Sequence, residues 1–218
     1  KVGDENAWKH AGALGLVIKD NGIQAVYGPK ADVLKSDVQD LLDSGVEIPK
    51  VDVSGNASSE KKHVEYKGVT ENVASVADGE TIKITDVKDP VFSKKMMGEG
   101  VGLIFEGDTL FAPLDGKVKL VASTKHAIGF EANNKAEILM HIGLDTVSLE
   151  GKGFELLIKE GDRVKHGTPV LKINRQFMKE RNIDLTTPIV VTNSEYKVFK
   201  SNITDVTTDS VIMECTKN

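Results

Sequence analysis

The chain has 218 residues and a mass of 23.6 kDa, more than one average domain and less than two, so two unequal parts are expected. Hydrophobic residues at 39%, charged residues at 28% and a mean hydropathy of -0.21 exclude a disordered or fibrous chain, and no apolar run approaches the length of a bilayer span. A formal net charge of -5 argues against a nucleic-acid binder, and the single cysteine, Cys215, excludes both a disulfide framework and a Cys-rich zinc site.

Residues 1–50 open with Leu16-Val17-Ile18 and Ile23-Gln24-Ala25-Val26-Tyr27 around Asp20-Asn21-Gly22, which predicts a β-hairpin. Beyond Gly28-Pro29, the residues Val33, Leu34, Val38, Leu41 and Leu42 recur at helical spacing and Gly45 stands at the stop, which predicts a helix. A hairpin and one helix bury little surface alone. The segment is therefore expected to be part of a small α+β domain whose remainder precedes Lys1, with Trp8 and the helix leucines as core residues. Residues 51–85 are expected to be a linker, because Ser54, Gly55, Asn56, Ser58, Ser59 and the run Glu60-Lys61-Lys62 leave few large apolar side chains.

Residues 86–218 carry short β-prone runs cut by Gly, Pro and Asn, at 102–105, 109–112, 116–121, 126–131, 136–141, 169–173, 189–191 and 211–215. This spacing predicts a mainly β, antiparallel sandwich or barrel, with one short helix over 177–181.

His126 and His141 stand in two of these runs, on either side of Asn133-Asn134. A tight turn at that dipeptide pairs Ala132 with Lys135, and the register carried outward sets His126 directly opposite His141. Opposed side chains have Cβ atoms roughly 4.5 to 5.5 Å apart. Thr124 would share the face, while a slip of one residue would send the imidazoles to opposite faces. Two imidazoliums repel, so the pair suits either a metal or a shared anion such as a phosphoryl group. For a metal, Asp145 and Glu99 are the acidic candidates beside His126 and His141. His10 and His63 are expected to be ordinary surface residues, and His166 to sit in a turn. Met96, Met97 and Phe92 are read as core packing, with an apolar docking rim as the alternative.

The flanks of the pair read Ser123-Thr124-Lys125-His126-Ala127-Ile128-Gly129 and Ile138-Leu139-Met140-His141-Ile142-Gly143-Leu144-Asp145-Thr146-Val147. With Asp89-Pro90-Val91-Phe92-Ser93, Gly98-Glu99-Gly100, Ala112-Pro113-Leu114-Asp115-Gly116, Glu150-Gly151-Lys152-Gly153-Phe154 and Glu160-Gly161-Asp162-Arg163-Val164, the chain from Asp89 resembles the glucose-type enzyme IIA domain of the bacterial sugar phosphotransferase system. The resemblance implies that His141 takes a phosphoryl group on Nε2 from the histidine phosphocarrier protein and passes it to a cysteine of an enzyme IIB domain. It further implies that His126 hydrogen-bonds the phosphoryl group and that Thr124 orients the His126 ring. No cofactor is required, although zinc could sit on both histidines where a partner completes the site.

Gly12-Ala13-Leu14-Gly15, Gln24 to Pro29 and the Asp32–Leu42 helix resemble the C-terminal half of an enzyme IIB domain, whose phosphorylated cysteine belongs upstream. That order implies fusion to a membrane-embedded enzyme IIC permease and a cytoplasmic position for this part. No sequence of the Gly-x-x-x-x-Gly-Lys type appears, which fits a phosphoprotein donor rather than a nucleotide. The alternatives from other classes are a zinc-dependent hydrolase using His126, His141 and Asp145, and a regulatory binding module built on the same pair.

Overall fold

The computed structural model describes residues 15–19, 22–26 and 68–218. The predicted helix after Gly28-Pro29, the expected linker up to residue 67, Trp8, His10 and His63 lie outside them. Strands β1 (Gly15–Lys19) and β2 (Gly22–Val26) form the antiparallel hairpin expected from Asp20-Asn21-Gly22, with Lys19 and Gly22 as the innermost pair.

The rest is β-rich, as the sequence predicts. The strands are β3 (Thr70–Ala74), β4 (Gly79–Lys83), β5 (Glu99–Phe105), β6 (Thr109–Phe111), β7 (Gly116–Val121), β8 (Ala127–Ala132) and β9 (Glu137–His141). They are followed by β10 (Phe154–Leu156), β11 (Arg163–Val164), β12 (Pro169–Ile173), β13 (Thr187–Val191), β14 (Tyr196–Lys200), β15 (Asp205–Val206) and β16 (Val211–Lys217). An eight-stranded sheet runs β11-β7-β8-β9-β13-β5-β4-β15, and two three-stranded sheets run β10-β12-β6 and β14-β16-β3. The pairings within them are antiparallel.

Side chains alternate across the eight-stranded sheet, and this divides the core in two. Ile128, Phe130, Ile138, Met140, Ile189 and Val191 face the large core. Ala127, Leu139 and Val190, the intervening residues, face a smaller one with Ile84, Val87, Phe92 and Met97. Both faces of β8, β9 and β13 are thus covered, which is why their sequences read as nearly unbroken apolar runs. His141 follows Leu139 by two residues and emerges on the side of the smaller core.

Two sequence expectations need correction here. The part of the expected linker from residue 70 to 85, and with it the domain start at 86, does not hold, because β3 pairs with β16 and β4 pairs with β5 and β15 inside the β fold. Val73, Val76 and Ala77 are buried in the large core from a stretch whose composition is otherwise polar, so a few small apolar residues at the right phase outweigh the average. Strands β10, β11, β14 and β15 also escape sequence prediction; two of them have only two residues, and Lys197, Phe199 and Lys200 of β14 are exposed.

Helix α1 (Pro90–Ser93) sets Phe92 into the smaller core. Asp89 caps it, its Oδ1 accepting from the Val91 amide at 2.7 Å, and Pro90 starts it without an orphaned N–H. Helix α2 (Arg175–Glu180) is capped in the same way by Asn174, whose Oδ1 accepts from Phe177 N at 3.0 Å. Replacing Asp89 with Ala should lower stability by about 1 kcal/mol in urea unfolding, the usual effect of losing such a cap; an unchanged midpoint would show that α1 is held by packing alone.

Candidate active site

The β8–β9 hairpin differs from the predicted register by one residue. Ala127, not His126, lies opposite His141, and the pairing continues inward to Glu131 with Glu137. The turn at Asn133-Asn134 does form, with Lys135 N–H donating to Ala132 O at 3.0 Å, and Asn134 within it is buried. Its Nδ2 donates to Val69 O and Cys215 O at 3.0 and 3.1 Å, its Oδ1 accepts from Ala136 N at 2.9 Å, and its carbonyl accepts from the Tyr196 hydroxyl at 2.5 Å. The slip comes from Lys135, which follows the turn at φ +74° as an extra loop residue, so that Ala132 N–H closes on Ala136 O at 2.9 Å.

A slip of one residue should part the histidines, yet their ring centroids are 5.0 Å apart with planes at 72°. His126 stands just before β8, where its carbonyl accepts from Ile142 N at 2.7 Å. The turn leading into it closes by Lys125 N–H on Ala122 O at 2.8 Å, with Lys125 at φ +58°. The alternation of a regular strand does not apply there, and the turn delivers the His126 ring to the His141 side. Thr124 lies in the same turn, with its Oγ1 2.5 Å from His126 Nδ1.

His141 Nδ1 lies 2.9 Å from the carbonyl oxygen of Gly143. A carbonyl only accepts, so Nδ1 of the neutral ring bears the hydrogen and Nε2 keeps a lone pair. Phe92 packs at a tilt against the imidazole, with centroids 5.0 Å apart and planes at 59°. Burial, and then the neighbouring His126, push the His141 pKa down from 6.5 to about 3, so the ring is neutral near pH 7.

Gly143 has φ +73°, and a Cβ there would stand 2.8 Å from Thr146 Cγ2 and 3.0 Å from Asp184 O, so both conformation and space require glycine. Sequence reading quotes Gly143 within its motif but gives it no role; a glycine two residues after the histidine was the available signal. Thr146 and Thr187, both fully buried beside this turn, also escape it.

The acidic candidates do not join the pair. Asp145 is exposed and starts a 3-10 turn over Thr146–Leu149 from φ +55°. Glu99 binds Lys95 at 2.8 Å and Lys200 at 2.6 Å; burial opposes its charge, but those two hydrogen bonds outweigh it and hold the carboxyl below its usual range. Among the described residues no group of three or more His, Cys, Asp and Glu could hold a metal, so the third ligand that a hydrolytic zinc site needs is missing. His126 and His141 by themselves amount to half of a tetrahedral set.

Elsewhere, His166 is exposed in a turn and its Nε2 meets Thr208 O at 2.8 Å. Met97 and Phe92 are buried in the smaller core and Met96 packs against it, as the core reading expects. Cys215 is buried in β16, where desolvation and then the nearby Glu71 push its thiol up to about 11.

Residues 71–197 match the family described as phosphoenolpyruvate-dependent sugar phosphotransferase system, EIIA 1. The chain belongs to that family. It is 44% identical over 195 residues to the PTS system glucose-specific EIICBA component of Streptococcus pneumoniae, a match that covers 89% of this chain and 27% of that protein. It is 39% identical over 192 residues to the glucoside-specific EIICBA component of Staphylococcus carnosus, covering 88% of this chain and 28% of the relative. The chain thus spans little more than a quarter of the length of these relatives. Its fold is similar to that of glucose permease IIA from Mycoplasma capricolum, with a TM-score of 0.63 and 30% identity over 66% of this chain and 95% of that one. The mainly β class expected from the sequence agrees with this neighbour in the EIIA family.

Because the His141 pKa is depressed in the folded chain, the unfolded chain takes up a proton near pH 6.5 that the folded chain refuses until about pH 3. Folding stability should therefore fall with pH across that window. Thermal melts of the parent and of His141→Gln should diverge between pH 7 and pH 4.5, the parent losing more; parallel slopes would show that His141 is not held neutral by its surroundings.

Proposed function

We propose that His141 is the phosphoryl acceptor and donor of an EIIA component that serves coupled sugar uptake. The observation that carries this reading is the committed Nδ1 of His141, 2.9 Å from Gly143 O, beside a second imidazole 5.0 Å away. The Nε2 lone pair attacks the phosphorus of a phosphohistidine on the histidine phosphocarrier protein. The new P–N bond forms as the carrier's P–N bond breaks, and the bonding pair returns to the carrier's imidazole. Positive charge that develops on the His141 ring is met by the Gly143 carbonyl, which accepts from Nδ1–H throughout.

With the Thr124 hydroxyl donating to His126 Nδ1, the hydrogen of His126 sits on Nε2, where it can hydrogen-bond a phosphoryl oxygen. Phosphoryl transfer needs alignment and neutralisation of the equatorial oxygens more than covalent help, and this pair offers both. In the onward step a cysteine thiolate of an enzyme IIB domain attacks the same phosphorus, and the pair returns to His141 Nε2.

The relatives are EIICBA components, which supports a place within a fused permease, with residues 1–50 as part of an enzyme IIB segment and a membrane enzyme IIC ahead of both. Among the described residues no helix is long and apolar enough to cross a membrane, which suits a part held on the cytoplasmic side. Relatives named for glucose and for glucosides match at 44% and 39%, so the substrate is proposed as a sugar without further choice. Zinc bound by His126 and His141 would need its remaining ligands from a partner protein.

The test is intact mass after incubation with phosphoenolpyruvate, enzyme I and the histidine phosphocarrier. His141→Ala should gain no phosphoryl group, whereas His126→Gln should gain one but pass it on slowly. A phosphorylated His141→Ala protein would place the acceptor elsewhere.

A further inference from the structure

Of the four buried polar residues in the described part of the chain, Thr146 and Thr187 sit beside the His141 turn. Thr146 Oγ1 donates to Ile142 O at 2.7 Å. Gly143 N–H donates to Thr187 Oγ1 at 3.4 Å, and that hydroxyl donates onward to Leu185 O at 2.9 Å. Ile142 O and Gly143 N are the two polar ends of one peptide unit, so the two threonines hold it from both sides. The next peptide unit is treated similarly: Leu144 N–H donates to Asp184 O at 2.8 Å, and Gly143 O faces His141 Nδ1.

We infer that Thr146 and Thr187 are positioning residues for His141, acting through the Ile142–Gly143 peptide to aim the Gly143 carbonyl at Nδ1 and so keep the lone pair on Nε2. Neither hydroxyl touches the imidazole. Their effect is on the acceptor that selects its tautomer. A peptide held at only one end can rotate about its flanking bonds, and such a rotation passes through the backbone dihedrals of Gly143 to the adjoining unit, turning the Gly143 carbonyl away and freeing the imidazole proton to move to Nε2. Thr187 projects from β13, which pairs directly with β9, so one arm of the clamp stands on a neighbour of the strand that carries His141, and Thr146 supplies the other from the 3-10 turn. Thr146 adds its methyl group, against which Gly143 packs too closely to carry a Cβ.

The inference rests on the acceptor role of His141 for its consequence, but its structural content can be read separately. Long-range proton–nitrogen NMR of the imidazoles reports the tautomer of His141 without any phosphoryl donor. The parent should show one Nδ1–H tautomer. Thr187→Val and Thr146→Val keep the shape and lose the hydroxyl; each should populate the Nε2–H form and slow phosphoryl acceptance by roughly tenfold or more, the scale seen when outer partners of metal-bound histidines are removed. Thr187→Ser and Thr146→Ser keep the hydroxyl and should restore the parent tautomer. Folded Val variants with the parent's tautomer and rate would overturn the inference. Should neither Val variant fold, the parent decides: a protected Gly143 amide with a single Nδ1–H tautomer supports the clamp, and a mixture of tautomers contradicts it. A parent that accepts no phosphoryl group while its Val variants still shift tautomer would remove the acceptor role and leave the positioning role standing.

Discussion

A carbonyl oxygen cannot donate, so an imidazole whose Nδ1 lies 2.9 Å from Gly143 O carries its proton on that side and presents an unprotonated Nε2 on the other. The rest of the site follows from this constraint. A ring free to exchange tautomers would offer a nucleophilic nitrogen at one position only part of the time, and a protonated ring would offer none. Burial and the adjacent His126 remove the second hazard by depressing the pKa, and the Gly143 turn removes the first.

The fold supplies these conditions with ordinary means. Alternation along β9 puts His141 above the smaller core, where Phe92, brought in by the capped α1, closes one side of the ring. A turn with Lys125 in the left-handed region brings the His126 ring beside it as well. The turn after His141 is tied to residues 184–187 at the entrance to β13, so the same strand that completes the sheet also steadies the acceptor carbonyl.

Much of this was legible in the sequence, though not all for the right reason. The two short hydrophobic runs around Asn133-Asn134 do form a hairpin, and His126 does lie beside His141. The turn at that dipeptide closes as expected, Lys135 N–H on Ala132 O, but periodicity cannot reveal that Lys135 then enters the loop as an extra residue at positive φ and slips the register by one. The compensating twist at Lys125 is equally silent: a lysine with positive φ has no compositional signature. The start of the β fold was missed for a related reason. Strand β3 contributes Val73 and little else that is large, and its place is set by pairing with β16, far along the chain. Motif resemblance singled out Thr124, His126 and His141, which the structure gathers in one place, because motifs record local chemistry, whereas the buried threonines, common residues in a common setting, gave no such signal.

The nitrogen that carries the phosphoryl group is the most direct test of the account. Phosphorus and nitrogen NMR of the chain after phosphorylation through the histidine phosphocarrier would identify it from the coupling within the phosphoramidate. A single phosphoryl group on Nε2 of His141, with Nδ1 still protonated against Gly143 O, is the predicted result. Phosphate on Nδ1 of His141, or on His126, would contradict it, since Nδ1 of His141 is turned to the Gly143 carbonyl and His126 is assigned only a hydrogen bond to the phosphoryl group.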